Sequence, residues 1–321
     1  MNTVTTQTSV RNTYAVAAQT PQPGLCCPKD YPEEWADHIP NEAFSFSYGC
    51  GSPVLKSQIR KGEHVVDLGS GVGIDCFVAA RLVGANGRVS GIDMTDEMLD
   101  KARHYARIVG DRLGYHNIDF AKGVIEEIPL DSNSVDVVIS NCVLNLSSDK
   151  KAVLAEIKRV LKPSGRLVIA DIVSDREVST VDQANPKLWG DCYSGALSAK
   201  KFIAAFRDAG FTGITQISES PWKSLAGYRF SSLTVAGYNM LKGPVCQYMG
   251  QTAIYLGPYS QVEDDAGHIF PRFQPVEVCT DTAIHLKEYP YTGSFLITGA
   301  TRRDTSSASS CCSPDSGCGC N

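Results

Sequence analysis

The sequence predicts an α/β fold: a doubly wound, mostly parallel sheet followed by a small β-rich C-terminal domain. Three observations carry this expectation. From residue 63, short apolar runs of strand length alternate with stretches whose apolar residues recur at helical spacing. The links between them are short, which suits parallel strands that return through covering helices. The first apolar run leads into Asp67-Leu68-Gly69-Ser70-Gly71-Val72-Gly73, a glycine-rich turn opening onto a helix.

The elements follow in order. His-Val-Val-Asp-Leu over 64–68 is a buried strand, and 75–83 is the helix after it. Residues 88–93 form a second strand and 96–109 a second helix. A third strand lies near 118–122, and 135–140 is a fourth, apolar on both faces. The helix over 150–161 is closed by Pro163-Ser164-Gly165, and 166–171 is a fifth strand. Upstream, residues 1–24 are polar and end in Pro21-Gln22-Pro23-Gly24, which reads as a disordered lead-in. An N-terminal arm with cysteine-containing loops fills 25–62, with a short helix near 33–37. The main domain spans 63–220. Beyond it, 225–300 holds β-like runs at 251–256, 276–279 and 294–298 between Gly and Pro turns, a separate small domain. The tail over 301–321 is Ser- and Cys-rich and too polar to pack a core.

Composition narrows the function. A chain of 321 residues has room for about two domains. With 43% hydrophobic and 20% charged residues it is neither a disordered chain nor a fibrous repeat. A net charge of −5 offers no basic excess, so neither nucleic acid nor an anionic membrane is an expected partner. No apolar run approaches the ~18 residues of a membrane span. The first 20 residues hold one basic residue, Arg11, and no apolar core of a secretory signal. A cytoplasmic protein is expected, and most of its 12 cysteines should be thiols rather than a disulfide framework.

Gly69, Gly71 and Gly73 let the backbone turn tightly and approach a ligand at the carboxyl end of the first strand. Asp93 ends the second strand, where a carboxylate suits a ribose diol. A dinucleotide fingerprint started at Gly71 would need glycine at position 76, where this chain has Cys76, and no phosphate-binding Gly-Lys-Ser/Thr occurs. The pattern D-x-G-x-G-x-G instead resembles the S-adenosylmethionine-dependent methyltransferases, with Asp67 steering the loop toward the methionine moiety.

Glycine loops do not name a methyl acceptor. The cysteines do more. Cys142 follows the fourth strand directly, Cys192 lies after the fifth, and Cys50 sits between glycines in Tyr48-Gly49-Cys50-Gly51-Ser52-Pro53. No C-x-x-C pair joins these three, so a zinc knuckle is not indicated. Separate thiols converging on a cofactor pocket suit a soft, thiophilic centre, and trivalent arsenic held in a pyramid of three thiolates fits. Its lone pair needs no general base to attack a methyl group.

The segments around Cys50, Gly91-Ile92-Asp93-Met94-Thr95-Asp96-Glu97-Met98-Leu99, Ser140-Asn141-Cys142-Val143-Leu144-Asn145-Leu146 and Leu188-Trp189-Gly190-Asp191-Cys192 resemble those of the arsenite methyltransferases, over roughly residues 25–215. The resemblance implies a Rossmann-like methyltransferase that moves methyl groups from S-adenosylmethionine to trivalent arsenic, giving mono- and dimethylated products. It implies Cys142 and Cys192 as persistent arsenic ligands and Cys50 as the third. One of Cys26 or Cys27 would pair with Cys50 in thiol–disulfide cycling. It implies cofactor contacts from Asp67, Gly69, Ser70, Gly71, Gly73, Asp93 and Met94. Ile125 and Glu126 would border the adenine, and Asn141 the methionine part. Partners would be arsenite or its thiol conjugates and a thiol reductant such as glutathione or thioredoxin, acting on a monomer.

Two rivals differ in what they predict. A C-, O- or S-methyltransferase with an organic acceptor would tolerate serine at Cys142 or Cys192. A non-enzymatic thiol-rich protein that sequesters metalloid would bind arsenic without consuming S-adenosylmethionine. Cys76, Cys246 and Cys279 read as structural. The tail cysteines Cys311, Cys312, Cys318 and Cys320 could capture a metalloid. The six histidines show no ligand spacing, and no Gly-x-Ser-x-Gly or His-Glu-x-x-His motif is present.

Overall fold

The first two strands show why the sheet forms where it does. β1 (His64–Leu68) and β2 (Arg88–Asp93) are short runs with two β-branched residues each, almost wholly buried, which a strand covered on both faces satisfies. The computed structural model describes residues 3–22, 25, 31–183, 185, 189, 192–240, 247–288 and 290–299, the side chains of 3–6 excepted. Two compact units divide the chain, Met1–Asn239 and Met240–Asn321.

In the first unit, α1 (Thr3–Gln19) and the one-turn helices α2 (Glu33–Ala36), α3 (Asn41–Phe44) and α4 (Pro53–Lys56) precede β1. Then α5 (Ile74–Val83), β2, α6 (Asp96–Leu113), β3 (Ile118–Lys122), β4 (Val135–Asn141), α7 (Lys150–Val160) and β5 (Leu161–Ser174) alternate. The sheet continues in β6 (Thr212–Leu225) and β7 (Tyr228–Tyr238), in the spatial order β3-β2-β1-β4-β5-β7-β6. All neighbours are parallel except β7, antiparallel to both β5 and β6. Successive residues of one strand serve opposite faces. Val65 packs with the helix layer of α5 and α6 while Val66 and Leu68 join the other cluster; Val137 and Ile139 divide from Val138 in the same way. The helices obey local rules. Asp149 caps α7 by accepting from the Ala152 N–H at 2.9 Å, and α6 ends at Gly114, φ +80°, whose N–H returns to the Gly110 carbonyl.

Two expectations are corrected. Residues 1–24 are not wholly a disordered lead-in: 3–19 form α1, with Val10, Ala17 and Ala18 buried. Together with Tyr14 these recur at i, i+4, i+7 and i+8, a helical stripe that the Thr- and Gln-rich composition hides. Residues 225–239 belong not to a separate C-terminal domain but to the main sheet, as the end of β6, the Ala226-Gly227 turn and β7. Both turn residues have positive φ, as a two-residue hairpin requires. β5 runs past the expected fifth strand at both ends; β7 pairs with it from Arg166 to Ser174.

The second unit is built from a three-stranded antiparallel sheet and a two-stranded one. Its own core gathers Ala253, Tyr255, Phe270, Val278, Ala283 and Leu286. Cys279 is disulfide-bonded there. Cys26, Cys27, Cys246 and the four tail cysteines lie outside the described residues. Among the described residues, no helix is long and apolar enough to cross a membrane.

Candidate active site

The glycines after β1 divide their work. Gly69, Gly71 and Gly73 all take positive φ. A Cβ at Gly69 would stand 2.4 Å from the Val143 side chain, and one at Gly73 2.6 Å from Phe120, so these two allow close packing. At Gly71 a Cβ would meet nothing within 4 Å, and this residue borders a cleft. Asp93 orients the loop: its Oδ2 accepts from the Gly71 N–H at 2.9 Å and its Oδ1 from the Thr95 N–H at 2.8 Å. Burial pushes its carboxyl up, and those N–H groups oppose the shift. The Ser70 hydroxyl is buried in the loop with no hydrogen-bond partner among the described residues.

Met94, Ile125 and Glu126 line the same cleft. Glu126 is also a tie: its Oε1 accepts from Ser147 Oγ at 2.6 Å and its Oε2 from Gln7 Nε2 at 3.3 Å. Gln7, Val10 and Tyr14 of α1 form another wall. Sequence reasoning missed that wall, although the stripe at 10, 14, 17 and 18 was a usable signal. Asp67 lines the cleft as well and is buried; the Cys76 thiol donates to its Oδ2 at 3.5 Å. Burial, then the Asp67 charge, pushes that thiol's pKa well up, so Cys76 stays a donor.

Cys142 also lines the cleft. Cys142 Sγ, Cys50 Sγ and a carboxylate oxygen of Asp171 all lie within 4.8 Å of one another, and all three residues are buried. Cys192 is not in that trio, but its Sγ donates to the Cys142 carbonyl at 3.1 Å. The three cysteines share one apolar cluster with Ala170, Ile172, Tyr193 and Phe230. Cys142 (φ +61°) and Cys192 (φ +65°) both sit in the left-handed region.

Sequence reasoning did not find Asp171. Its only signal was an acid closing an apolar strand at the carboxyl end, the edge where ligands bind. Its carboxylate accepts from the Asn145 N–H at 3.0 Å and the Ile172 N–H at 2.7 Å. Burial pushes its carboxyl up to about 6, against those N–H groups and Lys150. Lys150 is pushed down to about 8 by burial, while the charges of Asp171, Cys192 and Glu126 hold it up. Lys56 places a second ammonium near Cys50; burial lowers its pKa and the Cys50 charge opposes. A soft, acid-flanked cluster of thiols with lysines beside it therefore adjoins, through Cys142, the cleft bordered by the glycine loop.

The strand order, the glycine loop over the parallel strand ends and the acid closing β2 define a Rossmann-like, S-adenosylmethionine-dependent methyltransferase. The site fits that cofactor. Gly71 leaves backbone open to it, the Ser70 hydroxyl awaits a partner, and Asp93 stands where a ribose diol would donate. Residues 59–210 match the family described as a methyltransferase domain, and 242–318 match a domain of unknown function. The arsenite methyltransferase of Aquipseudomonas alcaligenes is 33% identical, covering 91% of this chain and 90% of that protein. That of Rattus norvegicus is 32% identical, covering 88% and 79%. The crystal structure of an arsenic (III) S-adenosylmethionine methyltransferase from Chlamydomonas reinhardtii is similar, with a TM-score of 0.63 and 34% identity, covering 88% of this chain and 99% of that one. The chain belongs to the arsenite methyltransferase family.

Proposed function

We infer that this enzyme transfers methyl groups from S-adenosylmethionine to trivalent arsenic held by Cys142, Cys192 and Cys50. One observation carries the reading: the cleft bordered by the glycine loop and Asp93 is bordered also by Cys142, whose Sγ lies within 4.8 Å of Cys50 Sγ. Condensation of arsenous acid with three thiols forms three As–S bonds and releases three waters, the thiol protons leaving on the arsenic hydroxyls. The product is a pyramid with its lone pair exposed, and thiolate softness favours it over oxygen ligands.

The cofactor, when bound, supplies an electrophilic methyl group on a sulfonium. Asp93 and Ser70 hold its nucleoside end, while β4 presents Cys142 at the other. Fixing the two reactants in line is the main contribution of the chain, and no proton has to be taken from arsenic. The transfer raises arsenic formally from trivalent to pentavalent. One of the Cys26 or Cys27 thiolates then attacks the Cys50 sulfur: the S–S bond forms, the As–S bond to Cys50 breaks, and its electron pair stays on arsenic, which returns to the trivalent state. An external thiol such as glutathione or thioredoxin resets the two cysteines, and mono- and dimethylated arsenicals leave.

The test is product analysis by mass spectrometry of protein, arsenite, S-adenosylmethionine and glutathione. Methylated arsenic from the wild type and none from Cys142→Ser or Cys192→Ser is expected. Unimpaired methylation by both variants would overturn the ligand assignment. Arsenite bound without any methyl transfer would favour a sequestering protein.

A further inference from the structure

We propose that Asn141, with Asp75 behind it, is a positioning residue that sets Cys50 as the third arsenic ligand. The proposal rests on the reading of Cys50, Cys142 and Cys192 as the ligands.

A side-chain amide has two acceptor positions and two N–H groups, and Asn141 uses all four on the protein. Its Oδ1 accepts from the Cys50 N–H at 3.0 Å and the Gly51 N–H at 3.2 Å. Its Nδ2 donates to the Gly51 carbonyl at 2.8 Å and to Asp75 Oδ2 at 2.9 Å. Three of the four bonds thus grip two consecutive residues of the thiol loop. Asn141 is buried and ends β4, one residue before Cys142. The side chain that fixes the Cys50 backbone is therefore rooted beside another ligand, on the central strand of the seven-stranded sheet. The spacing of the two sulfurs is inherited from β4 rather than from the arm that carries Cys50.

Asp75 decides which way the amide points. A carboxylate only accepts, so Nδ2 must face it, and Oδ1 is left to face the Cys50 and Gly51 N–H groups. Asp75 is buried in the first turn of α5, and its other oxygen accepts from the Tyr31 hydroxyl. Two further contacts hold the same loop. Ser232 Oγ donates to the Cys50 carbonyl at 2.6 Å, and a Cβ on Gly51 would come within 2.8 Å of the Ala170 Cβ. Without the amide, the Cys50 and Gly51 N–H groups lose this acceptor in a buried place, and the loop is no longer tied to β4. The expected cofactor contact from Asn141 is thereby recast: the residue borders the cleft, but its amide is committed to the thiol loop.

The consequence is selective. Inorganic arsenite offers arsenic three exchangeable positions and draws on Cys50. A trivalent arsenical already bearing one carbon has two and is held by Cys142 and Cys192. The test is titration of the reduced full chain, without cofactor, with arsenite and with phenylarsine oxide, read by the fluorescence of Trp189 and Trp222, which pack on the thiol cluster. Asn141→Ala and Asp75→Ala are expected to weaken arsenite binding about tenfold or more while shifting phenylarsine oxide by less than about twofold, as Cys50→Ser does. Equal weakening of both arsenicals, or of neither, would overturn the proposal. If Asn141→Ala does not fold, Asp75→Ala is read beside Tyr31→Phe, because the Tyr31 hydroxyl joins Asp75 to Ser52 of the same loop: selective weakening of arsenite by Asp75→Ala and not by Tyr31→Phe supports the amide route, and equal weakening by both would overturn it. If Cys50→Ser itself fails to separate the two arsenicals, the ligand assignment fails instead, and the two failures are told apart.

Discussion

Asp171 makes the energetics of the thiol pocket measurable. The carboxyl is fully buried, and its pKa rises from 3.8 to about 6. At ~1.4 kcal/mol per tenfold change in proton affinity, that difference is about 3 kcal/mol. The native chain binds this proton more tightly than the unfolded chain. The associated stability is therefore fully present below pH 3.8 and lost as pH rises through about 6. Asp171→Asn has no such proton. Its amide cannot accept from both the Asn145 and Ile172 N–H groups, which costs about 1–3 kcal/mol at every pH. The variant should thus be offset from the wild type by a constant and gain about 3 kcal/mol on it between about pH 4 and about pH 7. Taking the difference cancels the other titrating carboxylates, and Lys150 stays largely protonated over this interval. Urea unfolding under reducing conditions, followed by tryptophan fluorescence, is the assay. All three tryptophans, Trp35, Trp189 and Trp222, lie in the first unit, so the signal reports that unit alone. A difference that stays flat with pH would refute the reasoning.

The other predictions are simpler. Ser70→Ala removes a buried hydroxyl that has no partner among the described residues, so its melting temperature should hold while its affinity for S-adenosylmethionine falls about fivefold; calorimetry and thermal melts check both, and unchanged affinity would place the cofactor elsewhere. Arg166 is buried and binds Glu63 through both terminal nitrogens, at 2.9 and 2.8 Å, and the Ser57 and Gln58 carbonyls. Arg166→Ala leaves those groups without it and should cost about 3–5 kcal/mol in denaturant unfolding. A loss below about 1 kcal/mol would mean that water reaches the site.

Much of the fold was legible because each central strand is a β-branched run covered on both faces, so composition and location agree. The glycine turn was legible for a similar reason: its spacing encodes backbone geometry directly. α1 was not, because Thr and Gln outweigh four apolar positions in any compositional reading. β7 was not, because an antiparallel strand joined by a two-residue turn breaks the strand–helix rhythm that identified the others. In the site, the thiols were visible as residues inside motifs. Their neighbours were not. Asp171 meets Cys50 from 121 positions further along the chain, and no local pattern says that the Asn141 amide faces a loop ninety positions earlier. Sequence shows which groups are available; tertiary pairing decides what they hold.

Cys142 and Cys192 both occupy backbone positions that a residue with a Cβ resists by about 1 kcal/mol. Glycine sits there without resistance, and asparagine with less. If the two thiols hold arsenic as proposed, glycine at either place removes a ligand and relaxes the backbone in the same mutational step. A library of this protein sorted on thermal survival alone would drift toward sturdier chains that have lost their chemistry, and an engineering campaign has to score methyl transfer in every round to keep it.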